Sequence, residues 1–220
     1  MINVQVRIGD HDLSSSGEGS LNEMTLDVAN YTNHENYNSL TFDNDITIIE
    51  LAQEVDLTTY TPACLAKTSD TTAFDGKSAL VYGGLTLTFL IIDLSLRSGS
   101  GWGTTSYGGS ASIDKLLGVA VTVVTKETCK AAMEPKYTIT DGMLCAGGVE
   151  GEDSCQGDSG GPLTYKSGEQ HVLIGDVSRV EDCALAGSYG VFGRISHYRT
   201  WIEGKMTSPR YCGNGPDADA

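Results

Sequence analysis

Asp153-Ser154-Cys155-Gln156-Gly157-Asp158-Ser159-Gly160-Gly161-Pro162-Leu163 sets a serine behind an aspartate and between glycines. Glycine accepts positive φ and lets other groups approach the main chain closely. The combination favours a tight turn whose N–H groups converge on one spot beside the Ser159 hydroxyl. Such a nest of donors stabilises the oxyanion that forms when a hydroxyl attacks a carbonyl. On its own the same pattern could also make a plain glycine-rich surface turn. A serine hydroxyl is a poor nucleophile until a base removes its proton. The four histidines, His11, His34, His171 and His197, are therefore the residues to weigh.

The elements that must position this loop read as β structure. The 220 residues allow one large domain or two small barrels sharing a core. With 27 Gly, 5 Pro and many Thr, Val, Tyr and Ser, the composition favours short strands and tight turns. A net charge of −15, from 29 acidic against 14 basic residues, argues against nucleic acid or an anionic membrane as partner. The six cysteines, at 64, 129, 145, 155, 183 and 212, contain no CxxC pair and no zinc-finger spacing, so neither a metal nor another cofactor is expected. An even number scattered among turns reads as disulfides formed in an oxidising compartment, which implies a secreted, extracellular product. Spacing leaves their pairing open. The opening Met1-Ile2-Asn3-Val4-Gln5-Val6-Arg7 is not a signal peptide, and the expectation is that an N-terminal portion is missing.

Taken in order, residues 4–62 alternate apolar runs with polar turns. Strands are expected at 24–29 and 47–51, with a turn at 34–38. Gly9-Asp10-His11-Asp12-Leu13 opens an acidic loop reaching Glu18. It reads as a solvated loop rather than a calcium site, because a hard cation needs six or more oxygen ligands. Residues 66–78 form a polar connector. Further strands are expected at 79–83, 121–124, 142–148, 172–177 and 190–195, with a short helix at 127–133. Tyr198, Trp201 and Ile202 share one face of a helix over 197–205. The run Leu85-Thr86-Leu87-Thr88-Phe89-Leu90-Ile91-Ile92-Asp93-Leu94-Ser95-Leu96 is too short and interrupted to span a membrane.

The eleven residues around Ser159 resemble the nucleophile loop of the chymotrypsin/trypsin-like serine peptidases. The Gly9–Leu13 segment, the His34-Glu35-Asn36-Tyr37-Asn38 turn, Asp45-Ile46-Thr47-Ile48-Ile49-Glu50-Leu51 and Met143-Leu144-Cys145-Ala146-Gly147 resemble further motifs of that family. The likeness covers nearly everything from Val6 to Lys205. It implies an all-β fold of two antiparallel six-stranded Greek-key barrels with a C-terminal helix, the first barrel incomplete in this chain. The peptidase domain would be residues 1–206, with 1–65 the remainder of the first barrel, 79–200 the second barrel, 197–206 the helix and 207–220 a tail. In the family Gly83 would run straight into Trp102-Gly103, so residues 84–100 read as an insertion or retained intron.

What the resemblance implies for chemistry is specific. Ser159 is the nucleophile, Asp45 orients the base, and the N–H groups of Gly157 and Ser159 form the oxyanion hole. Ser178 braces Asp45, and Asp158 receives the α-amino group of the activated chain. Asp153, six residues before Ser159, would pair with a substrate Arg or Lys, with Val180 and Gly190 shaping the pocket. Val180 stands where trypsins typically have glycine and would narrow the entrance, which leaves a preference for small side chains as the competing expectation. The family pairs Cys129 with Cys145 and Cys155 with Cys183. Cys64 and Cys212 are left for a third bridge, and some arthropod members have a similar trailing Tyr-Cys. None of the four histidines stands in the family's Ala-Ala-His-Cys context, so the base is expected upstream and the chain as written is expected to be inactive. The implied function is a serine endopeptidase acting on protein or peptide substrates, open to protein inhibitors and monomeric. The alternative is a non-catalytic homologue that binds a partner in the old cleft.

Overall fold

The computed structural model describes residues 4–15, 23–66, 71–83, 103–104, 114–180 and 182–206. The apolar run at 85–96, Glu18, Cys212 and the tail lie outside them.

Three strands, β1 (Gln5–Ile8), β2 (Met24–Asn33) and β3 (Thr47–Leu51), form an antiparallel sheet in that order. Along β1 every second residue turns inward, so Val6 and Ile8 are buried against Leu26, Ile49 and Tyr60. The remaining strands are β4 (Cys64–Leu65), β5 (Ser78–Gly83), β6 (Leu117–Val124), β7 (Met143–Gly147), β8 (Pro162–Ser167), β9 (Gln170–Arg179) and β10 (Tyr189–Arg194). They pair in the order β10-β7-β6-β5-β8-β9, and a further β10–β9 pairing closes six strands into a barrel. β4 adds to β9 in parallel, Cys64 opposite Val172 and Leu65 opposite Leu173. Closure leaves no long free edge in the barrel. The strands expected from sequence all fall on observed ones. β1, β4 and β8 were not anticipated.

β9 organises the molecule. Residues 172–177 are buried without interruption because both faces are covered. Val172, Ile174 and Val177 belong to the barrel core with Val81, Val121, Leu163 and Phe192. Leu173 instead joins Ile46, Ile195, Tyr198 and Ile202 outside the barrel. A register shift between Leu163 and Thr164 lets Val177 return to the interior after Ile174.

Two helices fasten the ends. α1 (Lys126–Met133) is capped by Thr125, whose Oγ1 accepts from the Thr128 N–H at 3.1 Å, and the Cys129–Cys145 disulfide ties it to β7. α2 (Ile195–Lys205) begins two residues before the expected start. It buries Ile195, Tyr198 and Ile202 against β9 and β4, each worth about 1.5–3 kcal/mol relative to exposure. Trp201 of α2 donates to Glu35 at 2.7 Å, and Lys205 pairs with the same carboxylate. These contacts clamp the loop that carries Asp45.

The acidic loop differs from its sequence reading. Asp10 and Asp12 are not solvated but buried. Asp10 pairs with Arg7 at 2.8 Å, and Asp12 accepts from the Ser14 hydroxyl at 2.5 Å with Lys115 at 3.8 Å. Local cation and hydroxyl partners make that burial affordable.

Candidate active site

Asp45 immediately precedes Ile46, and burial of Ile46 among the α2 side chains draws the aspartate inward. Its Oδ2 accepts from the Ser178 hydroxyl at 2.7 Å. A second bond holds the same loop to the barrel: Thr140 Oγ1 donates to Asp43 Oδ1 at 2.6 Å. Two residues before Ser178 stands Asp176, which sequence reading passed over. Asp176 is buried, and its Oδ1 has no hydrogen-bond partner among the described residues. Burial first, and then the charge of Asp45, push its carboxyl well above the ordinary carboxylate range. The signal that could have found it was a charged residue inside an otherwise apolar strand run.

The Ser159 loop is pinned from beneath. Asp158 is buried and accepts twice, from the Cys155 N–H at 2.8 Å and from the Gly103 N–H at 3.1 Å. Burial raises its carboxyl while those two donors oppose the shift. The Cys155–Cys183 disulfide anchors the start of the loop. Main-chain bonds alternate along the turn. The Asp158 N–H reaches Cys155 O at 3.0 Å, and the Gly160 N–H reaches Val177 O at 2.7 Å. The Gly161 N–H reaches Asp158 O at 2.8 Å. The N–H groups of Gly157 and Ser159 have no acceptor among the described residues. Gly157 has φ 99°, and a Cβ there would lie 2.9 Å from the Gly103 Cα, so only glycine fits. Ser159 itself is exposed. Gly160 and Gly161 both bond to Val177, and the next residue of β9 holds Asp45. One strand thus fixes both the Ser159 loop and the Asp45 loop.

Asp153 is half-buried next to this loop. Its Oδ1 accepts from the Ser154 N–H at 2.8 Å and its Oδ2 from the Ala184 N–H at 3.3 Å. Burial pushes the carboxyl up to about 6, against the pull of those N–H groups. Gly190 lies against it: an added Cβ there would come within 3.2 Å of Asp153 Oδ1. Val180 is partly buried and packs against the barrel core.

The histidines sit elsewhere in the fold. His34 stacks on Trp201 with ring centroids 4.9 Å apart and accepts the Asn36 N–H at 3.2 Å. His171 lies 3.4 Å from Thr164 Oγ1, and His197 meets the Tyr198 ring edge-on. The His11 carbonyl, in the loop after β1, accepts from Leu116 at 2.9 Å. The Cys129–Cys145 and Cys155–Cys183 bridges form as the family pairing implied, while the proposed partner of Cys64 lies outside the described residues. Among the described residues no cluster of acidic, histidine or cysteine side chains could hold a metal. No helix among them is long and apolar enough to cross a membrane.

The family model for trypsin matches residues 2–88 and 96–202, leaving 89–95 inside the unusual segment unmatched. Trypsin-3 of Salmo salar is 33% identical over 206 residues, covering 93% of this chain and 74% of that protein. A trypsin of Squalus acanthias is 34% identical over 212 residues, covering 93% and 77%. The proclotting enzyme of Tachypleus tridentatus is 35% identical over 207 residues, covering 91% of this chain and 49% of the relative. With the six-stranded barrel, its C-terminal helix and the pinned Ser159 loop, this likeness shows that the chain belongs to the chymotrypsin/trypsin-like family of serine peptidases.

Proposed function

We propose that the chain carries the working parts of a serine endopeptidase that hydrolyses peptide bonds through an acyl-enzyme intermediate, cutting after arginine or lysine. The observation that carries this reading is the exposed Ser159 between two unengaged N–H groups on a loop pinned by Asp158. A base takes the Ser159 proton, Oγ attacks the carbonyl, and the N–H groups of Gly157 and Ser159 hold the developing oxyanion. Asp45, braced by Ser178, orients the base and stabilises its protonated form. Asp158 receives the α-amino group of the processed chain. Asp153 pairs with the substrate cation, with Gly190 leaving depth and Val180 narrowing the approach.

The base in this reading is a histidine other than His11, His34, His171 and His197. The 220 residues alone are then expected to turn over substrate negligibly, since losing that group costs on the order of 10⁶ in turnover. The product works outside the cell on protein or peptide substrates, where its disulfides persist. Residues 1–206 form the peptidase domain and 207–220 a tail. A second reading, a non-catalytic homologue binding its partner in the same cleft, is favoured by the engagement of His34, His171 and His197 with other groups. The native protein should be treated with an arginyl diaryl phosphonate and assayed on arginyl and alanyl esters. Covalent capture at Ser159 with faster arginyl hydrolysis is expected. An unmodified Ser159 in a protein that still binds peptide sinks catalysis and leaves the binding module.

A further inference from the structure

Arg179, the last residue of β9, is held between two aromatic rings from distant parts of the chain. Its guanidinium carbon lies 3.7 Å from the Tyr137 ring centroid and 4.6 Å from that of Phe42. Attraction to two ring faces restricts the cation, and its N–H donors, which make no hydrogen bond among the described residues, remain for a further partner. The side chain is partly exposed, and no carboxylate among the described residues pairs with it. Asp43, the chain neighbour of Phe42, is bonded to Thr140 instead. Lys136 lies 5.3 Å from the same Tyr137 ring and adds a second positive charge. Two cations side by side, one of them without a carboxylate, are out of character in a protein of net charge −15. Phe42 also adopts φ 59°, a left-handed conformation that costs a bulky residue about 1–2 kcal/mol, so its ring is held there against local preference.

The position of Arg179 gives the cation a direction. β8 ends its pairing with β9 at Pro162 opposite Asp176, and Gly160 and Gly161 bond only as far as Val177. Beyond Val177, the side of β9 away from β10 has no strand partner among the described residues. That open edge runs from Ser178, which touches Asp45, past Arg179 to Val180, four residues before Ala184, whose N–H bonds to Asp153. An extended peptide can add to such an edge, and antiparallel pairing is the more stable arrangement. Its reacting end then lies at Ser178, and the residues preceding the cleaved bond pass Arg179.

We propose that Arg179, clamped by Tyr137 and Phe42, is a specificity-determining residue that recognises an aspartate or glutamate a few residues upstream of the basic residue bound by Asp153. This rests on the proposed function for the location of the reacting bond. The guanidinium fork grips the carboxylate by charge-assisted hydrogen bonds, so the preferred substrate is a peptide with an acidic residue followed by a basic one.

The test is equilibrium binding of short fluorescent peptides to the full chain by anisotropy, which needs no turnover. The peptides share one arginine and carry Glu or Gln at each upstream position in turn. At low salt, glutamate at one of these positions should bind about tenfold tighter than glutamine, the size of one charge-assisted contact. Arg179→Gln should abolish the difference, and Arg179→Lys, which keeps the charge without the fork, should retain part of it. No glutamate preference at any position, no peptide binding, or a preference unchanged in Arg179→Gln overturns the proposal. Replacing the shared arginine by glutamine, together with phosphonate capture at Ser159 of the native protein, separately tests the peptidase reading. Loss of either of those with the glutamate effect intact would refute only that reading.

Discussion

Replacing Asp153 with asparagine separates what this carboxylate does for binding from what it does to the fold. The carboxyl titrates at about 6 in the folded chain against 3.8 for a free aspartate, chiefly through burial. Between these values the folded state holds more protons than the unfolded state, so this group's contribution to stability is complete below pH 4 and is lost as pH rises to 6. The full shift would correspond to about 3 kcal/mol, roughly halved because the side chain keeps contact with water. Asparagine removes that dependence. It also presents an NH₂ group to one of the two N–H donors, from Ser154 or Ala184, at a pH-independent cost of about 1 kcal/mol. The variant should therefore be less stable than the parent by about 1 kcal/mol at pH 4 and level with it or slightly better at pH 7. Cation binding runs the other way. A benzamidinium ion needs the ionised carboxylate, so parental affinity should climb about tenfold per pH unit up to 6 and then level off, while the variant should lose about a hundredfold or more at pH 7.5. Denaturant melts and calorimetric titrations across pH 4–8 measure both. A stability difference that does not change with pH, or a variant that holds benzamidinium as the parent does, refutes the assignment of Asp153 as a buried cation partner.

Three further outcomes follow from the same geometry. Asp176→Asn should cost under about 1 kcal/mol at pH 5, because the native carboxyl is already disfavoured as an anion. The parent, whose raised Asp176 loses its stabilising contribution as pH climbs above 4, should fall relative to the variant toward alkaline pH, as read from paired urea melts. Ser178→Ala leaves Asp45 without its hydroxyl donor and should cost about 1–2 kcal/mol, measured by thermal unfolding. Removing the Cys155–Cys183 bridge, which closes 28 residues, should cost about 3–4 kcal/mol and weaken benzamidinium binding, because the bridge spans the loops holding Asp153 and Ser159.

Legibility from sequence followed how local each constraint was. The Ser159 loop could be read because its requirements are contiguous: glycines for a tight turn, and an aspartate to pin it. The strand carrying Met143 to Gly147 was legible through its likeness to a family motif, and the helix face of Tyr198 and Ile202 from apolar spacing. β8 was missed because it starts at a proline after two glycines and continues through Thr164, Tyr165 and Lys166. Pro162 is tolerated as the first residue of the strand, and the pairing is decided by β5 and β9 rather than by local preference. Asp10 and Asp12 read as solvated because their partners Arg7, Ser14 and Lys115 give no pattern in sequence. The Arg179 clamp draws Phe42 from the first half of the chain and Tyr137 from the loop after α1, a juxtaposition created only by folding.

The concentration of function on one strand end has a mechanical reason. β9 is covered on both faces from Val172 to Val177, by the barrel core within and by α2 without, so its position is set by packing that a ligand cannot easily disturb. Immediately beyond that stretch, four successive duties fall on four successive residues. Val177 receives the Ser159 loop, Ser178 the Asp45 loop, Arg179 the two rings, and Val180 packs against the barrel core. Relative placement of Ser159, Asp45 and Arg179 therefore depends on main-chain spacing within a rigid element, at about 3.3 Å per residue, rather than on the meeting of independent loops. The buried Asp176 lies inside this register and is disfavoured as an anion by Asp45 as well as by burial. Its ionisation would place a second negative charge beside Asp45. That is why its substitution should register in the pH dependence of stability before it registers in the packing of the barrel.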